Sequence, residues 1–135
     1  MENQIAEFTR IHDEFIIDWN NALETGDASS IERMREDYYA ILFNETNEKP
    51  VLVGREDAIL CIRESVKQLL GTKKKCKNRV IRMKDSKNVA VFYELLIENE
   101  EKVLARLFTI ETWQLIDGKW MLVRVVEEPL ILKME

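Results

Sequence analysis

The hydrophobic pattern changes period near residue 78, and this change constrains the fold more than any other feature of the chain. Before it, Ile5, Phe8, His12, Phe15, Trp19 and Ala22 or Leu23 recur at steps of three and four. That is the stripe of one amphipathic helix, over about residues 3 to 24. After it the period is two, with candidate strands at 78–84, 88–98, 102–116 and 119–128. Their links, Asp85-Ser86-Lys87, Asn99-Glu100-Glu101 and Asp117-Gly118, are short and polar. Consecutive strands joined so tightly form an antiparallel meander.

Between these halves the chain reads as shorter elements. Gly26 suits the left-handed position that ends a helix, and Asp27 suits the cap of the next one, a short helix over 28–35 with Ile31 and Met34 inward. Tyr38 to Phe43 has the aromatic and β-branched character of a strand, NETNEK that of a turn, and Pro50 to Val53 that of a returning strand. A third helix opens at Gly54-Arg55-Glu56-Asp57, buries Ala58, Cys61 or Ile62, Ser65 or Val66 and Leu69, and ends at Gly71. Cys61 reads as core filling. TKKKCKNR then reads as a basic connection, solvated and bordering an edge that lysines protect, or attractive to an acidic partner. Helices first and strands afterwards predict an α+β domain spanning 1–135, three N-terminal helices covering one face of a curved antiparallel sheet.

Composition removes several function classes. A formal charge of -5 lacks the basic surface of a nucleic-acid binder. No apolar run approaches the ~18 residues of a membrane span, and the N-terminus reads as neither signal nor transit peptide. Two cysteines without CxxC spacing and one histidine predict no zinc site, no disulfide framework and no cofactor. A reducing cytoplasm is the expected compartment.

WQLIDGKW, residues 113–120, sets a tryptophan on each side of a tight turn. A two-residue type I′ turn pairs Glu111 with Arg124 and Trp113 with Leu122, leaving Trp113 and Trp120 on one face. A type I turn over Leu115 to Gly118, with Gly118 as a left-handed bulge residue, pairs Glu111 with Val123 and parts the tryptophans.

Three segments in order, ETGDASSIERM after the first helix, LVGREDAI opening the third, and ETWQLIDGKWMLV in the last hairpin, resemble the nuclear-transport-factor-2-like superfamily, in particular its SnoaL-like and ketosteroid-isomerase-like branches. The resemblance implies a cystatin-like cone, with a pocket between the first helix and the concave sheet face and a homodimer through the convex face. It favours the second register, because it aligns Glu111 with a concave site residue of the ketosteroid isomerases. Concave residues are then Leu107, Thr109, Glu111, Trp113, Val123, Val125 and Glu127. Phe108, Ile110, Trp120, Leu122 and Val126 fall on the convex face as the expected dimer interface.

Glu111 is the foremost catalytic candidate, since an apolar pocket pushes a carboxyl towards the neutral form of a general acid. An ion pair with Arg124 or Arg106 is its structural alternative. His12, on the helix stripe, and Tyr93, if it points inward in place of Glu94, follow as candidates. The resemblance puts Trp19 where ketosteroid isomerases carry a hydrogen-bonding tyrosine, and Phe43 or Asn44 where they carry the general base. Both catalytic groups are absent, which argues against steroid isomerisation. The expected ligand-binding set is Phe15, Trp19, Phe43, Thr109, Glu111, Trp113, Val125 and Glu127, with no metal ligand. The leading expectation is a SnoaL-like protein binding a small apolar molecule. An acid–base enzyme acting through Glu111 and a dimeric assembly domain are the alternatives.

Overall fold

A computed structural model describes residues 2–44 and 49–130. Helix α1 spans Glu2–Thr25, and its predicted stripe is the buried one: Phe8, His12, Phe15, Ala22 and Leu23 are inside, Trp19 is part-buried, and Ile5 is left at the rim. Gly26 closes the helix at φ +86°, its N–H bonded to the Ala22 carbonyl at 2.7 Å. The Asp27 carboxylate then accepts the Ser29 N–H at 3.0 Å.

In place of the predicted short helix the chain makes one 3₁₀ turn, Ser29–Ile31, and then strand β1, Met34–Leu42. Ile31 and Met34 are both buried, as their spacing of three suggested. That spacing also fits a tight turn leading into a strand, and the buried Tyr38 and Ala40 alternating with exposed Asp37 and Tyr39 show that the strand won. The protein therefore has two α-helices among its described residues instead of three. β2, Val51–Gly54, returns antiparallel beside β1. The NETNEK turn between them lies, at 45–48, outside the described residues.

Helix α2, Arg55–Gln68, buries Ala58 and Val66. Cys61, expected as core filling, is exposed to solvent or cavity on this helix. Strands β3 (Lys73–Asp85), β4 (Asn88–Asn99), β5 (Lys102–Ile116) and β6 (Lys119–Pro129) form the predicted meander. The six strands are ordered β2-β1-β6-β5-β4-β3. The sheet is not wholly antiparallel: β1 lies parallel to β6. Bulges in β3 at 77–80, in the β4/β5 pair at Ile97/Glu98 and in the β5/β6 pair at Thr112/Trp113 bend the long strands, so the unclosed sheet curves around α1.

TKKKCKNR is the start of β3 and not a connection. Lys74 and Cys76 point inward while Lys73, Lys75 and Lys77 point to solvent. Being an edge strand, β3 has an unpaired side, and Asn20 of α1 fills it at one residue: its Nδ2 donates to the Lys74 carbonyl at 3.1 Å and its Oδ1 accepts the Lys74 N–H at 2.7 Å.

Candidate functional site

The Asp117-Gly118 turn has positive φ at both residues, +50° and +78°, as a type I′ turn requires. Near it the register is the first one, with Trp113 opposite Leu122 and Leu115 opposite Trp120. Val123 is then an extra residue in β6, and beyond it Thr112 faces Arg124 and Glu111 faces Val125. Neither single register holds over the whole hairpin. The bulge restores inward parity on β6, so Glu111, Trp113, Trp120, Leu122, Val125 and Glu127 all point to the concave side.

Three expectations are corrected by this geometry. Trp120 is not convex: its ring lies edge-on to Phe8 of α1, with centroids 5.0 Å apart. Leu122 is not convex either, being 5% exposed and lining the cavity between the helices and the sheet. Val123, expected among the concave residues, occupies the bulge. Phe108, Ile110 and Val126 remain on the convex face, where Phe108 is exposed.

This cavity, enclosed by α1, α2 and the concave face, has a volume of about 240 Å³. Phe15, Trp19, Thr109, Glu111, Val125 and Glu127 line it, as does Tyr93. Phe43 does not; it is exposed just past the end of β1. Trp113 does not either, being fully buried behind the cavity wall and edge-on to Phe15 at 4.9 Å. Most of the remaining wall is apolar, including Ala40, Leu42, Ile62, Leu95 and Leu107.

Glu111 is the hub of a buried polar cluster. Its Oε1 accepts from His12 Nε2 at 2.8 Å and from Trp113 Nε1 at 3.0 Å, and its Oε2 accepts from the Tyr93 hydroxyl at 2.6 Å. Arg79 sets the tautomer of His12. Its guanidinium can only donate, so His12 Nδ1, 3.0 Å away, must accept, and the ring proton sits on Nε2 facing Glu111. The same Arg79 nitrogen holds Asp13 at 2.7 Å.

Burial is the largest single influence on Glu111 and pushes its pKa up, yet the hydrogen bond and electrostatic pull of His12, with the hydrogen bonds from Tyr93 and Trp113, outweigh it, and the net shift is downwards. This reverses the expectation of a carboxyl kept neutral by an apolar pocket. Neither arginine named as a structural partner engages it: Arg124 donates to the Tyr39 hydroxyl and to Thr112, and Arg106 makes no bond to Glu111. Tyr93 is pushed well above its usual range, first by burial and then by the charge of Glu111.

A second polar set faces the same cavity and is not saturated. Thr109 and Glu127 are direct cross-strand partners on its floor. Thr109 Oγ1 is buried and has no hydrogen-bond partner among the described residues. Burial raises the Glu127 pKa, against the pull of Lys74. Lys74 places its Nζ 3.3 Å from the centroid of the Trp19 ring, with no carboxylate within 4.0 Å among the described residues. Burial lowers the Lys74 pKa to about 8, although Glu127 and Glu111 act in the opposite direction.

Sequence reading missed Lys74, because three consecutive lysines hide a period of two. The signal was present: Lys74 shares the parity of Cys76, the one apolar residue in the run.

No family model matches the sequence, and no curated protein matches it. Solved structures do. A domain of unknown function with a cystatin-like fold from Nostoc punctiforme PCC 73102 superposes with a TM-score of 0.71 at 12% identity, over 98% of this chain and 80% of that one. An NTF-2 like protein of unknown function from Silicibacter pomeroyi DSS-3 gives 0.66 at 13% identity, over 93% and 98%. The chain has the nuclear-transport-factor-2-like fold.

A hexachlorocyclohexane dehydrochlorinase from Novosphingobium barchaimii LL02 shares this nuclear-transport-factor-2-like architecture, with a TM-score of 0.67 at 8% identity over 96% of this chain and 90% of that one. Identities this low establish a common fold and carry no residue role across. No helix among the described residues is long and apolar enough to cross a membrane.

Proposed function

We propose that this protein binds one small, uncharged, mostly apolar molecule in the cavity between α1 and the concave sheet face. The observation that carries the reading is the contrast between two polar groups of the same cavity. Glu111 has three donors and is complete without a ligand, whereas the Lys74 ammonium and the Thr109 hydroxyl are left without acceptors among the described residues. Buried polar groups find partners as a rule, so open ones facing a cavity point to a bound molecule that supplies them.

Size limits the ligand. A cavity of about 150 Å³ takes benzene, so 240 Å³ fits a single ring with a short substituent. Charge limits it further, because among the described residues the lining carboxyls Glu111 and Glu127 outnumber the one lining cation, Lys74, and so disfavour an anion. A neutral compound with an oxygen acceptor satisfies both conditions. The fold's use by a dehydrochlorinase of hexachlorocyclohexane, itself a small uncharged ring compound, is in keeping with this reading. Glu111 is poorly suited to the general-acid role, since its hydrogen bonds favour the form without a proton.

3-Phenylpropanol is a suitable probe. At about 100 times its dissociation constant a site ligand adds roughly 2.7 kcal/mol, a rise of roughly 5–10 °C in melting temperature for a domain of this size. The shift is expected in the wild type and not in Ala40→Leu, whose larger side chain fills the cavity. Equal shifts in both proteins, or none in either, would overturn the reading.

A further inference from the structure

Lys74 is placed with unusual care for a residue in a basic surface run. Asn20 clips its backbone from α1 through two hydrogen bonds, and the neighbouring Trp19 offers its ring face to the ammonium. The amine therefore stands inside the cavity at a fixed point, with none of its hydrogens used in a hydrogen bond among the described residues. Its surroundings are mostly hydrocarbon, with Leu95, Ile97 and Leu107 on the sheet side. A second carboxyl, Glu127, faces the same space from the floor beside Thr109.

We propose that the cavity takes an apolar aldehyde or ketone and that Lys74 condenses with its carbonyl to form an imine, Glu127 serving as the acid and base of the exchange. The inference rests on the binding reading above. It adds the ligand's reactive group and the residue that engages it.

The chemistry balances without any further reactant. Neutral Nζ attacks the carbonyl carbon; the carbon–nitrogen bond forms as the carbonyl π pair moves to oxygen, and one amine proton passes to that oxygen to give a carbinolamine. The Glu127 carboxyl then protonates the hydroxyl, the carbon–oxygen bond breaks, and water leaves as the nitrogen lone pair closes the carbon–nitrogen double bond. Loss of the remaining N–H proton to Glu127 restores the carboxyl. One amine and one carbonyl become one imine and one water.

Each group is shifted towards the form its role needs. A lysine desolvated in an apolar pocket is the usual form of a nucleophilic amine, and with its pKa lowered to about 8 a tenth or so of Lys74 is neutral at pH 7. Burial shifts Glu127 towards the protonated form that can give a proton. Thr109 Oγ1 supplies a hydrogen-bond donor for the carbonyl oxygen as charge gathers on it.

The test uses the whole chain with 3-phenylpropanal, trapped with sodium cyanoborohydride at pH 7 and read by intact mass and peptide mapping. The expected result is one phenylpropyl group per chain, on Lys74, acquired about tenfold or more faster than on any other lysine. Lys74→Met should lose that adduct and, lacking one of the two donors that meet the ligand's oxygen, show a smaller 3-phenylpropanol shift than the wild type. Glu127→Gln should label Lys74 about tenfold more slowly than the wild type.

Labelling spread over lysines without preference for Lys74, in a wild type that the alcohol stabilises, overturns the imine and leaves the binding site standing. Absence of both the alcohol shift and the Lys74 adduct overturns the two readings together.

Discussion

Glu111 and Lys74 are both charged groups out of bulk water, and they are held in opposite ways. Three hydrogen bonds stabilise the Glu111 anion beyond what water would do, so its pKa is lowered below 4.5. It contributes stability that is present above the unfolded value and lost as pH falls through the folded one. Lys74 has no such support, and its pKa is lowered from 10.5 to about 8. Between these two values the unfolded chain holds a proton that the folded one has released, so stability rises with pH across that window. The expected outcome is that wild type gains stability relative to Lys74→Met between about pH 8 and 10.5, measured as the difference of their urea midpoints converted through a common slope. A flat difference would mean that Lys74 ionises as it does in water. Much of the Glu111 cluster was legible in the sequence: the family resemblance singled out Glu111, the helix stripe His12, and alternation narrowed a third group to Tyr93 or Glu94. Lys74 was not, because a charged residue carries no hydrophobic signal of its own and its inward parity depends on β3 starting at Lys73.

At the scale of elements the last hairpin shows what patterning can and cannot give. The strands and the Asp117-Gly118 turn are readable from alternation and from the turn residues, whereas the type I′ geometry was one of two readings and not the one the resemblance favoured. The bulge at Val123 is not, since Leu122, Val123, Val125 and Val126 are equally apolar and offer no alternation to count. One extra residue then decides which residues of β6 share a face with Glu111 and Trp113. The short helix foreseen at 28–35 failed for a related reason: two buried residues three apart do not separate a helical turn from a 3₁₀ turn before a strand. Because Trp120 packs on Phe8, Trp120→Ala should lower unfolding free energy by about 2–3 kcal/mol, part of the usual cost of removing a buried aromatic side chain. Denaturant unfolding with an unchanged slope would record it. A change under about 0.5 kcal/mol would place Trp120 outside the core.

Over the whole molecule, α1 does two jobs with one stripe. Its first half, through Phe8, His12 and Phe15, closes the core around Trp113 and Glu111. Its second half, through Trp19 and Asn20, positions Lys74 at the cavity. The cone is thus divided into a sealed end and an open one, and the polar groups divide with it. Binding sites commonly cost a protein stability, because groups kept ready for a ligand lie unsatisfied in the empty state. Paired apolar substitutions, one at each end, test this division directly.

The measurement is the melting temperature of the ligand-free protein at pH 7 for Glu111→Leu and Lys74→Met. Glu111→Leu strands three buried donors and should lower it steeply, a loss of about 3 kcal/mol or more. Lys74→Met removes an ammonium whose desolvation outweighs the pull of Glu127 and Glu111, and should raise it by a few degrees. Opposite signs are the result predicted; a fall of similar size in both variants would make Lys74 part of the frame and contradict a cone with one sealed end and one open one.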